Sequence, residues 1–152
     1  MRTMACVAAF ALLCGCQTLG EERPAVELDQ EATEVDFVVK ESRTLSILAK
    51  LETAIADFYK TEGKVPRKLT DLVPKYLADI PTVELVGARH KDTSAVQYYP
   101  ADIIRDGQID GSRLKDSGKW GYAYNEKQVI VFVDCTHRNS KGVPWFQVRG
   151  IY

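Results

Sequence analysis

Two groups of side chains in this sequence could do chemistry, a cysteine with two histidines and a run of aspartates. Cys135 and His137 are two residues apart, close enough for the histidine to activate a thiol nucleophile. Both would lie on the apolar face of a strand, however, and no third orienting group follows nearby. We therefore predict a buried structural cysteine. His90 falls in a charged stretch, which favours a solvated side chain over a metal ligand.

The aspartates Asp106, Asp110 and Asp116 lie in and after the turn-rich sequence Asp106-Gly-Gln-Ile-Asp-Gly111. Carboxylates at short spacing suit a hard cation, so these three residues are a candidate calcium site. Their intervals of four and six residues differ from the alternate spacing of an EF-hand. Asx turns on a solvated loop are the alternative. Calcium is the one cofactor that the sequence indicates.

Three aromatic residues, Trp120, Tyr122 and Trp145, form a third candidate group. They are expected either to cover a long helix or to form an exposed recognition surface. The sequence contains no glycine-rich phosphate loop, serine nucleophile elbow, CxxC pair or HExxH motif. We therefore predict that the chain is not an enzyme.

The N-terminus indicates a lipid anchor. The ten apolar residues 4–13 are too few to cross a bilayer as a helix, so they are typical of an export signal. The following Leu13-Cys-Gly-Cys16 resembles the bacterial lipobox. This resemblance implies a signal peptide over residues 1–15 and diacylglycerol on Cys16, and Gln17 implies the periplasmic face of the outer membrane. An ordinary secretory signal is the alternative.

Composition limits the remaining possibilities. The chain has 152 residues, 45% of them hydrophobic, which is enough for one compact domain. A formal net charge of −1 gives no basic excess for nucleic acid, so no nucleic-acid partner is expected. Residues 16–36 hold the candidate lipidated cysteine and a run of acidic residues, which predicts a tether. The globular domain is expected over residues 37–152.

Hydrophobic periodicity predicts the elements of that domain. One helix is expected over about residues 35–61, ended by Gly63 and Pro66, because apolar residues recur at helical spacing. Its apolar stripe consists of Val38, Leu45, Leu48, Leu51, Ile55 and Phe58. A short helix begins near Thr70. A weaker pattern predicts a strand over 95–99, and clear ones predict strands over 119–124, 128–134 and 144–152. The expected fold is α+β, with one long amphipathic helix packed on a small antiparallel meander.

This order of elements is similar to that of type IV pilins and type II secretion pseudopilins. The sequence Phe58-Tyr-Lys-Thr-Glu-Gly-Lys-Val-Pro66 resembles the helix exit of that family, and Leu69-Thr-Asp-Leu-Val-Pro-Lys-Tyr-Leu-Ala-Asp-Ile-Pro81 resembles the segment after it. Residues 116–122 and 133–145 resemble the start of a strand and the terminal hairpin of pilin-like proteins. The prepilin peptidase site and the long apolar helix of the family are missing, which argues against a filament subunit.

The resemblance implies a structural component that contacts envelope proteins of a type II secretion or type IV pilus-like apparatus. The membrane would be a second partner, through Cys16. A small ligand- or calcium-binding envelope lipoprotein, unrelated to filaments, is the alternative.

Overall fold

The computed structural model describes residues 25–85 and 89–149, with side chains described from residue 34 onward. One α-helix, α1, is followed by five short strands, so the α+β class is confirmed. The bounds are α1 Ala25–Glu62, β1 Val96–Tyr99, β2 Ile104–Arg105, β3 Gln108–Ile109, β4 Trp120–Tyr124 and β5 Val129–Val133. Four single-turn 3-10 helices lie between or after them, at Leu69–Leu72, Ala101–Ile103, Gly111–Arg113 and Trp145–Gln147.

Helix α1 contains neither glycine nor proline, and it begins inside the segment assigned from the sequence to the tether. It ends where Gly63, at φ 68°, donates its N–H to the Tyr59 carbonyl at 2.9 Å. Leu48 and Leu51 are fully buried, as the periodicity predicts. The apolar stripe is shorter than expected, because Val38 is 57% exposed. None of the helices in the described ranges has the length and apolar character needed to cross a membrane.

The main sheet has the strand order β1-β4-β5 and is mixed. Strands β4 and β5 form the predicted antiparallel hairpin, and Tyr122 lies opposite Val131 in it. Strand β1 joins the other edge of β4 in parallel, with Tyr98 next to Tyr122. A separate antiparallel pair, β2 and β3, lies in the connection between β1 and β4.

The expected third strand of the meander, residues 144–152, is not a strand over its described part. Pro144 has no N–H, and the next two amides turn back to separate carbonyls. Trp145 N–H donates to His137 O at 3.0 Å, and Phe146 N–H donates to Cys135 O at 3.2 Å. The chain then curls into the 3-10 helix Trp145–Gln147, so the third strand of the sheet is β1 and the three-stranded antiparallel meander was wrong.

Two apolar clusters form the core. The larger one joins α1 to the sheet and includes Leu48, Leu51, Trp120 and Tyr122. The smaller one gathers Tyr99, Ile103, Ile109, Ala123, Phe132 and Phe146. Gly121 on β4 is required between strands, because a Cβ there would lie 2.4 Å from the ring of Phe132, its partner on β5.

Candidate metal centre

Three distant parts of the chain bring His90, Asp116, Cys135 and His137 together. His90 lies in the loop before β1, Asp116 in the turn before β4, and the other two directly after β5. One possible ligand atom from each of the four lies within 4.8 Å of all the others. Cys135 Sγ is 3.3 Å from His137 Nδ1, His90 Nε2 is 3.6 Å from Asp116 Oδ1, and His137 Nδ1 is 4.0 Å from the same oxygen.

Backbone hydrogen bonds hold the turn that carries Asp116. Its Oδ1 accepts the N–H of Thr136 at 2.7 Å, which ties the carboxylate to the segment between Cys135 and His137. The buried Asp134 accepts the N–H and the hydroxyl of Ser117, and its carbonyl accepts the N–H of Gly118. Because both sides of this turn are fixed, the position of the Asp116 carboxylate is defined before any ligand arrives.

His90 packs directly against the same turn. Gly118 has φ 68°, and a Cβ at this position would lie 2.4 Å from the Cβ of His90. Only glycine both adopts this conformation readily and leaves room for the imidazole. The ring of His90 meets that of His137 edge-on, with centroids 5.4 Å apart. Its Nε2 is buried and has no hydrogen-bond partner within the described part of the chain.

Cys135 is a fully buried free cysteine, as the sequence predicts. Burial raises the pKa of its thiol to about 11, so the thiol is protonated at neutral pH when no metal is bound. A protonated, buried thiol is a poor nucleophile. The contact between Cys135 and His137 is therefore better suited to ligation than to thiol catalysis.

Asp116 is the charged group of the cluster. Burial by itself would raise the pKa of this carboxyl, but the hydrogen bond from Thr136 and the nearby imidazoles of His90 and His137 outweigh it. The net result is a pKa below the ordinary value. An ionised carboxylate beside two imidazoles and a thiol is a donor set that a cation would complete.

Three of the six distances between the four ligand atoms can be compared with those around a tetrahedral ion, and all six are within 4.8 Å. Zinc bonds of 2.0–2.3 Å to oxygen, nitrogen and sulfur place tetrahedral ligand atoms about 3.3–3.6 Å apart. Two of the three measured separations, 3.3 and 3.6 Å, fall in this range, and the third, 4.0 Å, needs a small contraction. Two nitrogens, one sulfur and one oxygen suit zinc and similar transition metals, whereas calcium takes oxygen ligands.

The structure does not gather the three aspartates predicted as a calcium site. Asp106 occupies the turn between β2 and β3 at φ 50°. Asp110 accepts the N–H and hydroxyl of Ser112 and lies 3.4 Å from Arg105. Asp116 belongs instead with the histidines and the cysteine. Within the residues whose side chains are described, that set is the single group of three or more such ligands.

Of the two alternatives for the aromatic residues, the structure shows the core role and contradicts the exposed recognition surface. Trp120 and Tyr122 are fully buried, and Trp145 is nearly so. Trp120 Nε1 donates to the carbonyl of Pro81 at 2.7 Å, and the Tyr122 hydroxyl donates to that of Pro66 at 2.7 Å. Because the rings are buried, they cannot contact another protein, and these hydrogen bonds satisfy their polar atoms.

Sequence reasoning missed two members of the cluster. Cys135 and His137 do meet, but both follow β5 and His137 is exposed, so their predicted place on the apolar face of a strand is wrong. His90 was predicted to be solvated, and Asp116 to belong to a calcium loop. The usable signal was the Cys-x-His pair at the end of a strand, which is half of a four-ligand site. The other half comes from turns that no local pattern connects to it.

Comparison of the chain with protein-family models, curated proteins and solved structures finds no match. The function must therefore be argued from the geometry of the site. Cys16, the predicted lipidation site, lies outside the described residues.

Proposed function

We propose that this chain is a lipid-anchored envelope protein whose globular domain binds one transition-metal ion through His90, Asp116, Cys135 and His137. The observation that carries the proposal is the convergence of four ligand atoms within 4.8 Å from three separate segments. The anchor at Cys16 and the periplasmic location are the part of the proposal that rests on the lipobox resemblance.

The surroundings of the ligands support this proposal. In metal sites, hydrogen bonds from neighbouring groups orient the ligands and are often as important as the ligands themselves. The N–H of Thr136 supplies such a bond to Asp116 Oδ1, and that oxygen keeps a second lone pair for an ion. A metal bound to His90 Nε2 would also satisfy a buried nitrogen that lacks a hydrogen bond to the described residues.

Cobalt(II) binding tests the proposal, because a cobalt–thiolate bond gives a charge-transfer absorption that reports on Cys135. The purified full-length protein should bind one equivalent of cobalt with this absorption, and zinc should displace it. Asp116→Asn should weaken binding, and Cys135→Ser should remove the absorption. Asp106→Asn is the matched control, since Asp106 lies in the β2–β3 turn, and it should bind as the wild type does.

Calcium provides the competing outcome of the same experiment. If the alternative function of a calcium-binding lipoprotein were right, calcium and not cobalt would bind, and Asp110→Asn would abolish that binding. Binding of cobalt without the thiolate absorption would mean that Cys135 is not a ligand, and the four-residue site would be rejected.

A second candidate function, contact with other envelope proteins, is favoured by one surface of α1. Val35, Val38 and Val39 are all exposed, at spacing that puts them on one side of the helix. Three exposed valines on one helix side are typical of a contact surface. This observation supports contact with another protein, and the secretion or pilus apparatus as its place rests on the resemblance to pseudopilins. Photocrosslinking from position 38 in intact cells, with position 50 on exposed α1 as the control, would test it.

A further inference from the structure

We infer that the ion is of the zinc class and stays in place as a cross-link between three segments of the domain, rather than acting as transported cargo or as a reaction centre. This inference rests on the proposed function, since it concerns the same four ligands. It adds the class of ion, its residence and its role.

The completeness of the ligand set gives the first argument. Catalytic zinc sites have three protein ligands and leave the fourth position to water or substrate, whereas structural sites fill all four positions with side chains. Here two imidazoles, one thiol and one carboxylate converge, which is a full tetrahedral set. A site of this kind holds an ion and leaves no position for a substrate.

The unequal burial of the ligands gives the second argument. Cys135 is 0% exposed and the His90 side chain 12% exposed, whereas those of Asp116 and His137 are 36% and 43% exposed. The first two form the floor of the site and the other two its rim. An ion enters past the rim, but it leaves only after its bonds to both floor ligands are broken. Release is therefore expected to be slow.

The ion would join the segment that holds the C-terminal 3-10 helix to the loop before β1. The carbonyls of His137 and Cys135 accept the N–H groups of Trp145 and Phe146, so the ligand segment holds the C-terminal 3-10 helix in place. On the other side, the loop that carries His90 is joined to the body by the bridge between Val83 and Thr93. The ion would link these two edges directly.

A metal cross-link would stabilise a domain that has no disulfide within its described ranges. Cys135 is a free cysteine, and no disulfide is present within the described ranges. A small domain without covalent cross-links gains stability from an ion that binds the folded state and not the unfolded one.

The test uses purified full-length protein loaded with one equivalent of zinc. Two quantities are measured: the rate at which zinc passes to an excess of a chromogenic chelator, and amide hydrogen exchange with and without the metal. We expect transfer over hours, and slower exchange in residues 89–93 and 134–149 of the zinc-bound form. Exchange in residues 53–62, the C-terminal part of α1, is the internal control.

Two variants separate rim from floor. His137→Ala removes a rim ligand and should still bind zinc but release it about tenfold faster or more. Cys135→Ser removes a floor ligand and should prevent stoichiometric binding. Circular dichroism checks that both variants are folded, and Asp116→Asn, which preserves shape, replaces His137→Ala if that variant does not fold.

The outcomes distinguish the inference from the proposed function. Failure of the wild type to bind zinc or cobalt would overturn both. Stoichiometric binding followed by transfer within seconds, with unchanged hydrogen exchange, would overturn the cross-link while the metal-binding function stood. Slow transfer with protection of both segments would support the inference.

Discussion

The carboxylate of Glu41 on α1 accepts two hydrogen bonds from Ser140, at 2.9 Å from the backbone N–H and 2.6 Å from the hydroxyl. The two residues are 99 positions apart, and Glu41 is buried. Because Ser140 follows His137 by three residues, this pair joins the turn beyond the proposed metal ligands to the helix.

Glu41→Gln should destabilise the domain. The amide keeps one acceptor oxygen and carries no charge, so one of the two hydrogen bonds to the buried Glu41 carboxylate is lost, at a cost of about 1–3 kcal/mol. Urea denaturation of the full-length protein would measure the change. Glu34→Gln, at an exposed position on the same helix, should change the unfolding free energy very little. Equal effects of the two variants would contradict the role of the Glu41–Ser140 pair.

Gly118→Ala should disturb the metal centre, and Gly142→Ala should not. Both glycines have positive φ, 68° and 75°, so alanine costs about 1–2 kcal/mol of backbone strain at either position. Only at position 118 does the added Cβ collide with His90; at position 142 nothing lies within 4 Å. Zinc affinity, measured by competition with a chelator, should fall about tenfold or more in the first variant alone. A similar loss in both would attribute the effect to strain rather than to His90.

Leu48→Ala should cost about 2–5 kcal/mol of unfolding free energy, because it removes a fully buried side chain from the core between α1 and the sheet. Val38→Ala, on the exposed side of the same helix, should cost a few tenths of that or less. Thermal melts monitored by circular dichroism would compare them. If both variants melted like the wild type, α1 would have to be a solvated stalk.

The metal-free domain should lose stability in alkali through Cys135. Burial raises the pKa of its thiol from 9.0 to about 11. A group whose pKa is higher in the folded state stabilises the fold fully below the unfolded value, and this contribution disappears as the pH rises through the folded value. The loss should therefore develop between pH 9 and 11.

Urea denaturation in EDTA at several pH values would detect this loss as a difference from Cys135→Ser, which has no group titrating there. Burial also raises the pKa values of Tyr99 and Tyr122, but both residues are present in the two proteins, so their effects cancel in the difference. Parallel pH curves for the two proteins would show that the thiol is not buried as described.

Cys16→Ser should block lipid attachment, because the thiol of Cys16 is the predicted site of alkylation. Cells given labelled palmitate should label the wild-type protein, while the variant should accumulate as an unlabelled precursor of higher mass. Cys6→Ser, a change within the predicted signal peptide, is the matched control and should be labelled normally. Persisting label in Cys16→Ser would show that the lipobox interpretation is wrong.

Local patterns were enough to predict the elements that repeat with a fixed period. The apolar spacing of Leu48, Leu51 and Phe58 predicted α1, and alternation predicted the β4–β5 hairpin. The parallel pairing of β1 with β4 had no local signal, because partner choice depends on which edge remains free after the hairpin forms. The predicted C-terminal strand does not form, because the N–H groups of Trp145 and Phe146 donate to the carbonyls of His137 and Cys135.

The candidate site was predictable only in part, because two of its four residues come from distant segments that no local pattern connects. Cys135 and His137 are only two residues apart, so their proximity could be expected, although β5 ends before them and the apolar strand face predicted for them does not exist. His90 and Asp116 reach them through turns whose directions depend on Gly118 and on the buried Asp134. Such contacts are properties of the folded chain, and a charged loop in sequence gives no indication of them.

The parallel pairing of β1 with β4 has a consequence for how the chain folds. The β4–β5 hairpin is local and closes through the Asn125 turn, where Asn125 N–H donates to Gln128 O. Strand β1, in contrast, pairs with β4 across the whole connection that carries β2 and β3. Non-local pairings of this kind slow folding to about milliseconds or seconds. The hairpin is therefore the expected nucleus, and docking of β1 the step that limits the rate at which the domain is completed.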